Sequence, residues 1–170
     1  MRTRADITAD LDAAGISYRI VEHPPAETTE QADAFIEGHE GVRTKSLFLV
    51  NRKRTRSYLL VMDDAKPLDL AELAGLWSES RLSLGSRDRL LETLDVEPGV
   101  VSPLALVGLD GADTPVYFDA EMLQEPILTF HPGENTATIF VDTQDLLGYL
   151  ADRGVEPHVL DGLGGDTTAP

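Results

Sequence analysis

Two short apolar runs separated by a basic segment constrain the fold of this chain more than any other feature. The first run covers residues 46–50 in "KSLFLV", and the second covers residues 58–62 in "YLLVM". Between them stands "NRKRTR", which is rich in positive charge. The pattern predicts two strands joined as a β-hairpin with a basic tip. Lys45 then lies where the chain enters the first buried strand.

The rest of the chain alternates irregularly between helical and extended patterns. We expect helices over 5–14, from a cap at Thr29 to about residue 38, over 68–77, over 87–94 after a cap at Ser86, and over 143–152. Further strands are expected over 16–21, 104–107, 116–118, 127–130, 136–141 and 157–160, with a helical turn over 120–123. This mixture predicts one α+β domain with a mixed sheet over residues 1–162, followed by a flexible tail over 163–170.

Composition excludes several classes of chemistry. The chain has 170 residues, 42% of them hydrophobic, which is enough for a core that needs no disulfide or metal. It contains no cysteine, so thiol catalysis and thiolate metal sites are excluded. The four histidines show no paired metal spacing, and we expect no metal and no cofactor. Without a signal peptide or an apolar run long enough for a membrane span, a soluble cytoplasmic protein with no membrane partner is expected.

The charge distribution is polarised. The formal net charge is −16, which by itself argues against a nucleic-acid partner. However, seven of the fourteen Lys and Arg residues lie between Arg43 and Lys66, and Arg81, Arg87 and Arg89 follow. This basic region either binds a polyanion or merely keeps the tip of a hairpin soluble, and charge alone does not decide between them.

Three motifs carry residues suited to a binding site, although each has an ordinary structural explanation. Lys45 can direct a point charge into a cleft, or it can be a solvated strand end. In "GVVSP", Gly99 and Pro103 bracket a loop that can present N–H groups to an oxygen, or that simply turns. In "FHPGENTATI", His131 can bind a hydroxyl or orient water near neutral pH, or can mark the end of a strand. The sequence contains no serine-hydrolase elbow, no phosphate loop and no dinucleotide fingerprint.

Taken in order, these motifs resemble a known superfamily. The chain opens with "LDAAGISYRIVEHPPAETTEQA", continues through "KSLFLV" and "RLSLGSRDRLLETLDVEPGVVSPLAL", and reaches "FHPGENTATI". It is similar to the aminoacyl-tRNA editing superfamily that includes YbaK and the editing domain of prolyl-tRNA synthetase. Within it, the chain most resembles the free-standing alanyl-tRNA(Pro) deacylases ProXp-ala and PrdX. The resemblance covers about residues 7–160 and implies a mostly antiparallel, curved sheet flanked by helices.

The resemblance also implies a function and a set of site residues. The implied activity is hydrolysis of the ester of mischarged Ala-tRNA(Pro), with the aminoacylated tRNA as partner and prolyl-tRNA synthetase as a further candidate partner. Lys45, Gly99 and His131 would be catalytic. The substrate would contact six further residues: Ser46, Val100, Val101, Ser102, Pro103 and Asn135. The acceptor stem would contact five basic residues: Arg52, Lys53, Arg54, Arg56 and Arg81.

One departure from the family pattern keeps the substrate open. Ser46 stands where the family commonly has asparagine after the lysine, so a hydrogen bond from that amide would be shortened or lost. One alternative is therefore the same reaction on another small residue, such as cysteine, serine or threonine. A second alternative, which rests on the acidic composition, is a non-catalytic module that binds tRNA or a synthetase.

Overall fold

The computed structural model describes residues 1–26, 28–109 and 113–164. The helices are α1 (Arg4–Ala13), α2 (Thr29–Phe35), α3 (Leu70–Leu76), α4 (Arg87–Leu94) and α5 (Thr143–Asp152). The strands are β1 (Tyr18–Glu22), β2 (Val42–Asn51), β3 (Ser57–Asp63), β4 (Leu82–Leu84), β5 (Val116–Asp119), β6 (Ile127–Phe130), β7 (Ala137–Asp142) and β8 (Pro157–Leu160). Two short 3-10 helices, Pro103–Leu106 and Met122–Gln124, complete the described elements.

The strands form one mixed sheet in the order β1-β7-β6-β2-β3-β5-β8, with β4 paired to β2. Four pairings are antiparallel: β1 with β7, β6 with β7, β2 with β3, and β2 with β4. Three are parallel: β2 with β6, β3 with β5, and β5 with β8. The α+β class with a mixed sheet, predicted from the sequence, is confirmed.

The central strand β2 feeds two hydrophobic cores because successive side chains of a strand point to opposite faces. Phe48 and Val50 pack into the larger core, which also receives buried side chains of α1, α4 and α5. Leu49 packs into a smaller core under α3. Leu163 is 2% exposed and belongs to this smaller core. Of the predicted C-terminal tail, residues 165–170 lie outside the described part of the chain.

Two local predictions were wrong, and one strand was missed. The apolar run 104–107 is not a strand: Pro103 fixes a helical φ at the first position, and Pro103–Leu106 form a 3-10 turn buried in the core. The short strand β4 was not predicted, because three residues give too little alternation to detect. The cap of α2 is Thr28, whose side chain accepts a hydrogen bond from the backbone N–H of Gln31.

One edge of β2 is paired at its two ends but not in between, which leaves a gap in the sheet. At its start β2 pairs with β6 through Val42 and Arg43, and at its end it pairs with β4 from Leu49 onward. Between these points, no described strand covers that edge of β2. The functional motifs surround this gap.

Candidate active site

A cleft of about 340 Å³ lies at the open edge of β2. It is lined by residues from α2, the first half of β2, the loop before the 3-10 turn, β6 and β7, among them Ala32, Asp33, Ile36, Thr44, Lys45, Ser46, Leu47, Gly99, Val101, Phe130, His131 and Thr138. Five predicted site residues therefore meet in one place: Lys45, Ser46, Gly99, Val101 and His131.

Backbone carbonyls hold Lys45 in a defined position. Its Nζ donates to the carbonyl oxygen of Asp64 at 3.1 Å and to that of Lys66 at 2.5 Å. Both acceptors lie in the loop after β3, opposite Lys45 in the hairpin register, in which Lys45 pairs with Met62. A lysine ammonium has three N–H donors, so one donor remains for a ligand in the cleft. Both of these partners are neutral carbonyls and not carboxylates.

His131 is held as a neutral base. Its Nδ1 lies 3.0 Å from the carbonyl oxygen of Ala137, which only an N–H can satisfy, so Nε2 is left as the hydrogen-bond acceptor. Burial lowers the pKa of His131, and the nearby His23 lowers it further, although the bond to Ala137 acts in the opposite direction. The His23 ring stands edge-on to the His131 ring with centroids 5.9 Å apart. The imidazole can therefore accept a proton or a hydrogen bond at neutral pH.

The open edge of β2 presents main-chain groups to the cleft. The carbonyl oxygen of Phe48 accepts from the N–H of Gly85 at 2.9 Å, and the N–H of Arg52 donates to the carbonyl of Arg81 at 3.0 Å, so these positions face the β4 side. Because main-chain groups alternate in direction along a strand, the N–H and C=O of Ser46 point to the same side. No described strand lies there at Ser46, and these two groups face the cleft.

The "GVVSP" loop is only partly in the cleft. Gly99 adopts φ +89°, a conformation that side chains disfavour, and together with Val101 it forms one wall. Val100, Ser102 and Pro103 are buried and do not line the cleft, since they pack inward with the 3-10 turn. They support the wall from behind and do not face the cleft.

Asn135 does not line the cleft either, but it fixes part of the wall. Its Nδ2 donates to the carbonyl oxygen of Ala26 at 3.3 Å, and its own carbonyl accepts from the N–H of Ala26 at 3.2 Å. Ala26 is a lining residue. Asn135 thus ties the loop after β1 to the loop after β6.

Four threonines that line the cleft, Thr28, Thr44, Thr129 and Thr138, and two acidic residues of the site were missed by sequence reasoning. Thr44, Thr129 and Thr138 line the cleft, and each hydroxyl already has an acceptor: the carbonyl of Thr129, the carbonyl of Val42, and Nε2 of His23 respectively. Asp33 of α2 lines the cleft and hydrogen-bonds the carboxyl of Asp64. The hairpin register would have located residue 64 near Lys45, whereas nothing in the sequence links Asp33 to it.

The basic residues predicted to bind tRNA lie elsewhere. Arg52, Lys53, Arg54 and Arg56 are exposed at the hairpin tip, and Arg81 is exposed beside them. Lys45 is the fourth residue of β2 and Asn51 is its last, so the two lie roughly 20 Å apart along the strand. The tip is therefore outside the cleft but on the same continuous hairpin.

Comparisons with known proteins identify the family of this site. A family model described as "Aminoacyl-tRNA editing domain" matches residues 23–149. The chain belongs to the aminoacyl-tRNA editing domain family. The resemblance predicted from the motif order is thereby confirmed, and family membership supports the predicted reaction class, aminoacyl-tRNA deacylation.

Individual relatives cover nearly the whole chain. It is 31% identical over 146 residues to the prolyl-tRNA editing protein ProX of Acetoanaerobium sticklandii, covering 86% of this chain and 89% of that protein. It is 31% identical over 163 residues to prolyl-tRNA synthetase associated domain-containing protein 1 of Bos taurus, covering 93% and 94%. A solved structure described as a candidate trans-editing enzyme for prolyl tRNA synthetase superposes with a TM-score of 0.68 at 22% identity, covering 95% and 99%, and shares the fold. Among the described residues, no helix has the length and apolar character needed to cross a membrane.

Proposed function

We propose that this protein is a trans-editing deacylase that hydrolyses the ester of mischarged Ala-tRNA(Pro). The observation that carries the proposal is the convergence of Lys45, Gly99, Val101 and His131 on one small cleft. ProX, a relative by sequence, is named a prolyl-tRNA editing protein, which supports tRNA(Pro) as the carrier. Proline is decoded accurately only if alanine is removed, because an aminoacylation pocket built for proline rejects the smaller alanine weakly.

Each residue has a role that its geometry supports. The remaining N–H of Lys45 would bind an oxygen of the aminoacylated terminal nucleotide. The Ser46 main-chain groups and the Gly99 wall would hold the aminoacyl moiety, and Nε2 of His131 would accept a hydrogen bond from the ribose hydroxyl or the attacking water. Water adds to the ester carbonyl, the bond to the ribose oxygen breaks, and that oxygen leaves with a proton as a hydroxyl. An aminoacyl ester is activated enough that positioning and charge can suffice without a protein nucleophile.

Part of the cleft lining supports the proposal that alanine, and not serine or threonine, is the residue removed. The protons of the Thr44, Thr129 and Thr138 hydroxyls are already donated to protein acceptors. A pocket that selects a hydroxyl-bearing side chain needs polar groups reserved for it. The apolar residues Ile36, Val101 and Phe130 line the same cleft and suit a small apolar side chain. Ser46 still makes removal of another small residue the second candidate, since a family amide is missing there.

The basic hairpin would bind the acceptor stem while the 3′ end enters the cleft. The exposed positions of Arg52, Lys53, Arg54, Arg56 and Arg81 support this arrangement. Association with prolyl-tRNA synthetase and a cytoplasmic location would follow from this role.

The test is deacylation of a panel of charged tRNAs by the wild-type protein and by Lys45→Ala. We expect cleavage of Ala-tRNA(Pro), little cleavage of cognate Pro-tRNA(Pro), and loss of cleavage in the variant. Faster cleavage of a Cys, Ser or Thr ester would establish the second candidate. No cleavage of any ester by the folded protein would overturn the enzymatic proposal and favour a binding module.

A further inference from the structure

The loop that holds Lys45 is itself anchored by a second lysine. Lys66 supplies the closer of the two carbonyl oxygens that accept from Lys45, at 2.5 Å. The side chain of the same Lys66 reaches β5, where its Nζ donates to Asp119 at 3.1 and 2.9 Å and to Glu121 at 2.9 Å. One residue therefore combines a contact with Lys45 and an ion pair with the neighbouring strand.

The two acidic partners of Lys66 differ in environment. Asp119, the last residue of β5, has a side chain that is 2% exposed, whereas that of Glu121 is 80% exposed. An ion pair with a buried carboxylate is held firmly, since separating it leaves an unpaired charge in the interior. Burial alone would lower the pKa of Lys66, but its hydrogen bonds to Asp119 and Glu121 outweigh this and the pKa is raised. Lys66 therefore keeps its positive charge across neutral pH.

The beginning of the loop is fixed separately, by backbone contacts. The N–H of Asp64 donates to the carbonyl of Arg43 at 2.9 Å, and the N–H of Ala65 donates to the Asp63 carboxylate at 2.9 Å. At its far end, the loop is held to β5 by the Lys66 side chain. Without that side chain, Lys66 would be held by one backbone bond, from its N–H to the Asp63 carbonyl at 3.2 Å, and its carbonyl would be fixed less firmly than that of Asp64.

We propose that Lys66 and Asp119 are positioning residues, whose buried ion pair fixes the Lys66 carbonyl and thereby the direction of the Lys45 ammonium toward the cleft. Neither residue lines the cleft, so both act through Lys45. This inference rests on the proposed function in that Lys45 acts on the aminoacyl ester. It also explains how a flexible lysine side chain is ordered without a carboxylate that would neutralise it.

The kinetic test compares Lys66→Met and Asp119→Asn with Glu121→Gln, which removes the exposed partner of the same lysine. Misplacing a catalytic group by about 1 Å can cost roughly 100-fold in rate. We expect the first two variants to lower kcat on Ala-tRNA(Pro) by roughly 10- to 100-fold with little change in KM. Glu121→Gln should stay within about twofold of wild type, and Lys66→Arg, which keeps the ion pair, should recover part of the loss.

A second comparison separates positioning from a general structural effect. In single-turnover assays with excess enzyme, Lys66→Met should cause no further loss when added to Lys45→Ala, because both changes remove the same interaction. A full additional loss in that background would overturn the inference. So would a folded Lys66→Met variant with wild-type kcat.

A measurement without substrate keeps the inference testable if the proposed function fails. In ¹⁵N NMR of the full chain, the Lys45 ammonium should show slowed hydrogen exchange in wild type and Glu121→Gln, and lose it in Asp119→Asn and Lys66→Met. Unchanged protection in folded Asp119→Asn and Lys66→Met would overturn the inference. If the wild-type protein fails to cleave Ala-tRNA(Pro), the proposed function is overturned. The NMR result still tests whether Lys66 and Asp119 position Lys45.

Discussion

The two ends of β2 both carry positive charge, but they hold it in different ways. At the cleft end, the cations are half-buried and bound by backbone carbonyls: Lys45 by two, and Arg43 by those of Gly41, Ile36 and His39 at 2.8 to 3.0 Å. At the hairpin end, the cations are exposed, and Arg56 meets Glu79 at 3.6 Å while its own side chain is 72% exposed.

This difference in exposure and in hydrogen bonding indicates that the cations at the two ends of β2 have different electrostatic roles. A cation held by neutral carbonyls is ordered yet keeps its full charge, which suits a precise contact with one group of a substrate. Exposed cations on a turn are mobile and screened by salt, which suits attraction of a polyanion over a distance. We therefore expect changes at the cleft end to alter kcat and changes at the hairpin end to alter KM and its salt dependence.

The largest effect should come from removing one charge at each end of the strand. Lys45→Gln and Arg52→Gln delete the same formal charge from the same hairpin. We expect Lys45→Gln to reduce kcat for Ala-tRNA(Pro) by roughly 100- to 1,000-fold, because it removes a preorganised donor from the site. Arg52→Gln should change kcat by less than about twofold. Equal losses in single-turnover rates for the two variants would contradict the division of tasks.

The next effect concerns the base form of His131. Because its pKa is lowered, the imidazole stays neutral down to pH values below the usual histidine range near 6.5, and activity should fall only below that range. His131→Gln should lower kcat by roughly 100-fold and remove this acid limb. The measurement is kcat between pH 5 and 8, corrected for spontaneous ester hydrolysis. An acid limb that persists in His131→Gln would assign the titration to another group.

A smaller effect is expected at the hairpin tip. The triple variant Arg52→Gln, Lys53→Gln, Arg54→Gln should raise KM about tenfold at low salt and reduce the slope of log KM against log salt by about 2, with kcat unchanged. Arg87→Gln is the matched control, since Arg87 is paired with Glu97 at 2.6 Å on α4, away from the tip. A triple variant with the wild-type salt slope would show that the tRNA binds another surface.

The sequence predicts the position of the cleft better than it predicts which side chains line it, and the reason is physical. The hairpin register follows from its turn, since β2 and β3 pair symmetrically about "NRKRTR", and this places residues 62–64 opposite Lys45. Contacts of this kind can be read from local patterns. Thr129 and Thr138 reach the cleft through the parallel and antiparallel pairings of β6 and β7, which join segments distant in sequence. No local pattern encodes such pairings.

The "GVVSP" loop shows a second limit of prediction from sequence, which concerns the direction that each residue faces. Its motif pointed to the right place, because Gly99 and Val101 do line the cleft. The pattern could not separate the residues that face the cleft from Val100, Ser102 and Pro103, which face the core. An apolar run reads alike whether it forms a strand or a buried 3-10 turn, and only the packing decides.

The smallest expected effect concerns the pH dependence of stability, which we attribute to the acidic pair Asp33 and Asp64 at the cleft end of β2. Asp64, whose carbonyl binds Lys45, has a carboxyl pKa raised to about 7 by burial, by a hydrogen bond that its protonated carboxyl donates to Asp33, and by the charges of Asp33 and Asp63. Between about pH 4 and 7 the unfolded chain therefore loses this proton while the folded protein keeps it, so the free energy of unfolding of wild type falls as pH rises through this window. Asp64→Asn has no such proton to lose. Its free energy of unfolding relative to wild type should rise from pH 4 to 7 and stay constant above pH 7. The rise should be no more than about 1 kcal/mol, because solvent screens a partly exposed carboxyl.

Urea unfolding at pH 5 and pH 8 measures this difference. Asp33→Asn, which removes the other half of the pair, should show the same trend. A stability difference that is identical at both pH values would mean that Asp64 is ionised in the folded protein at pH 5.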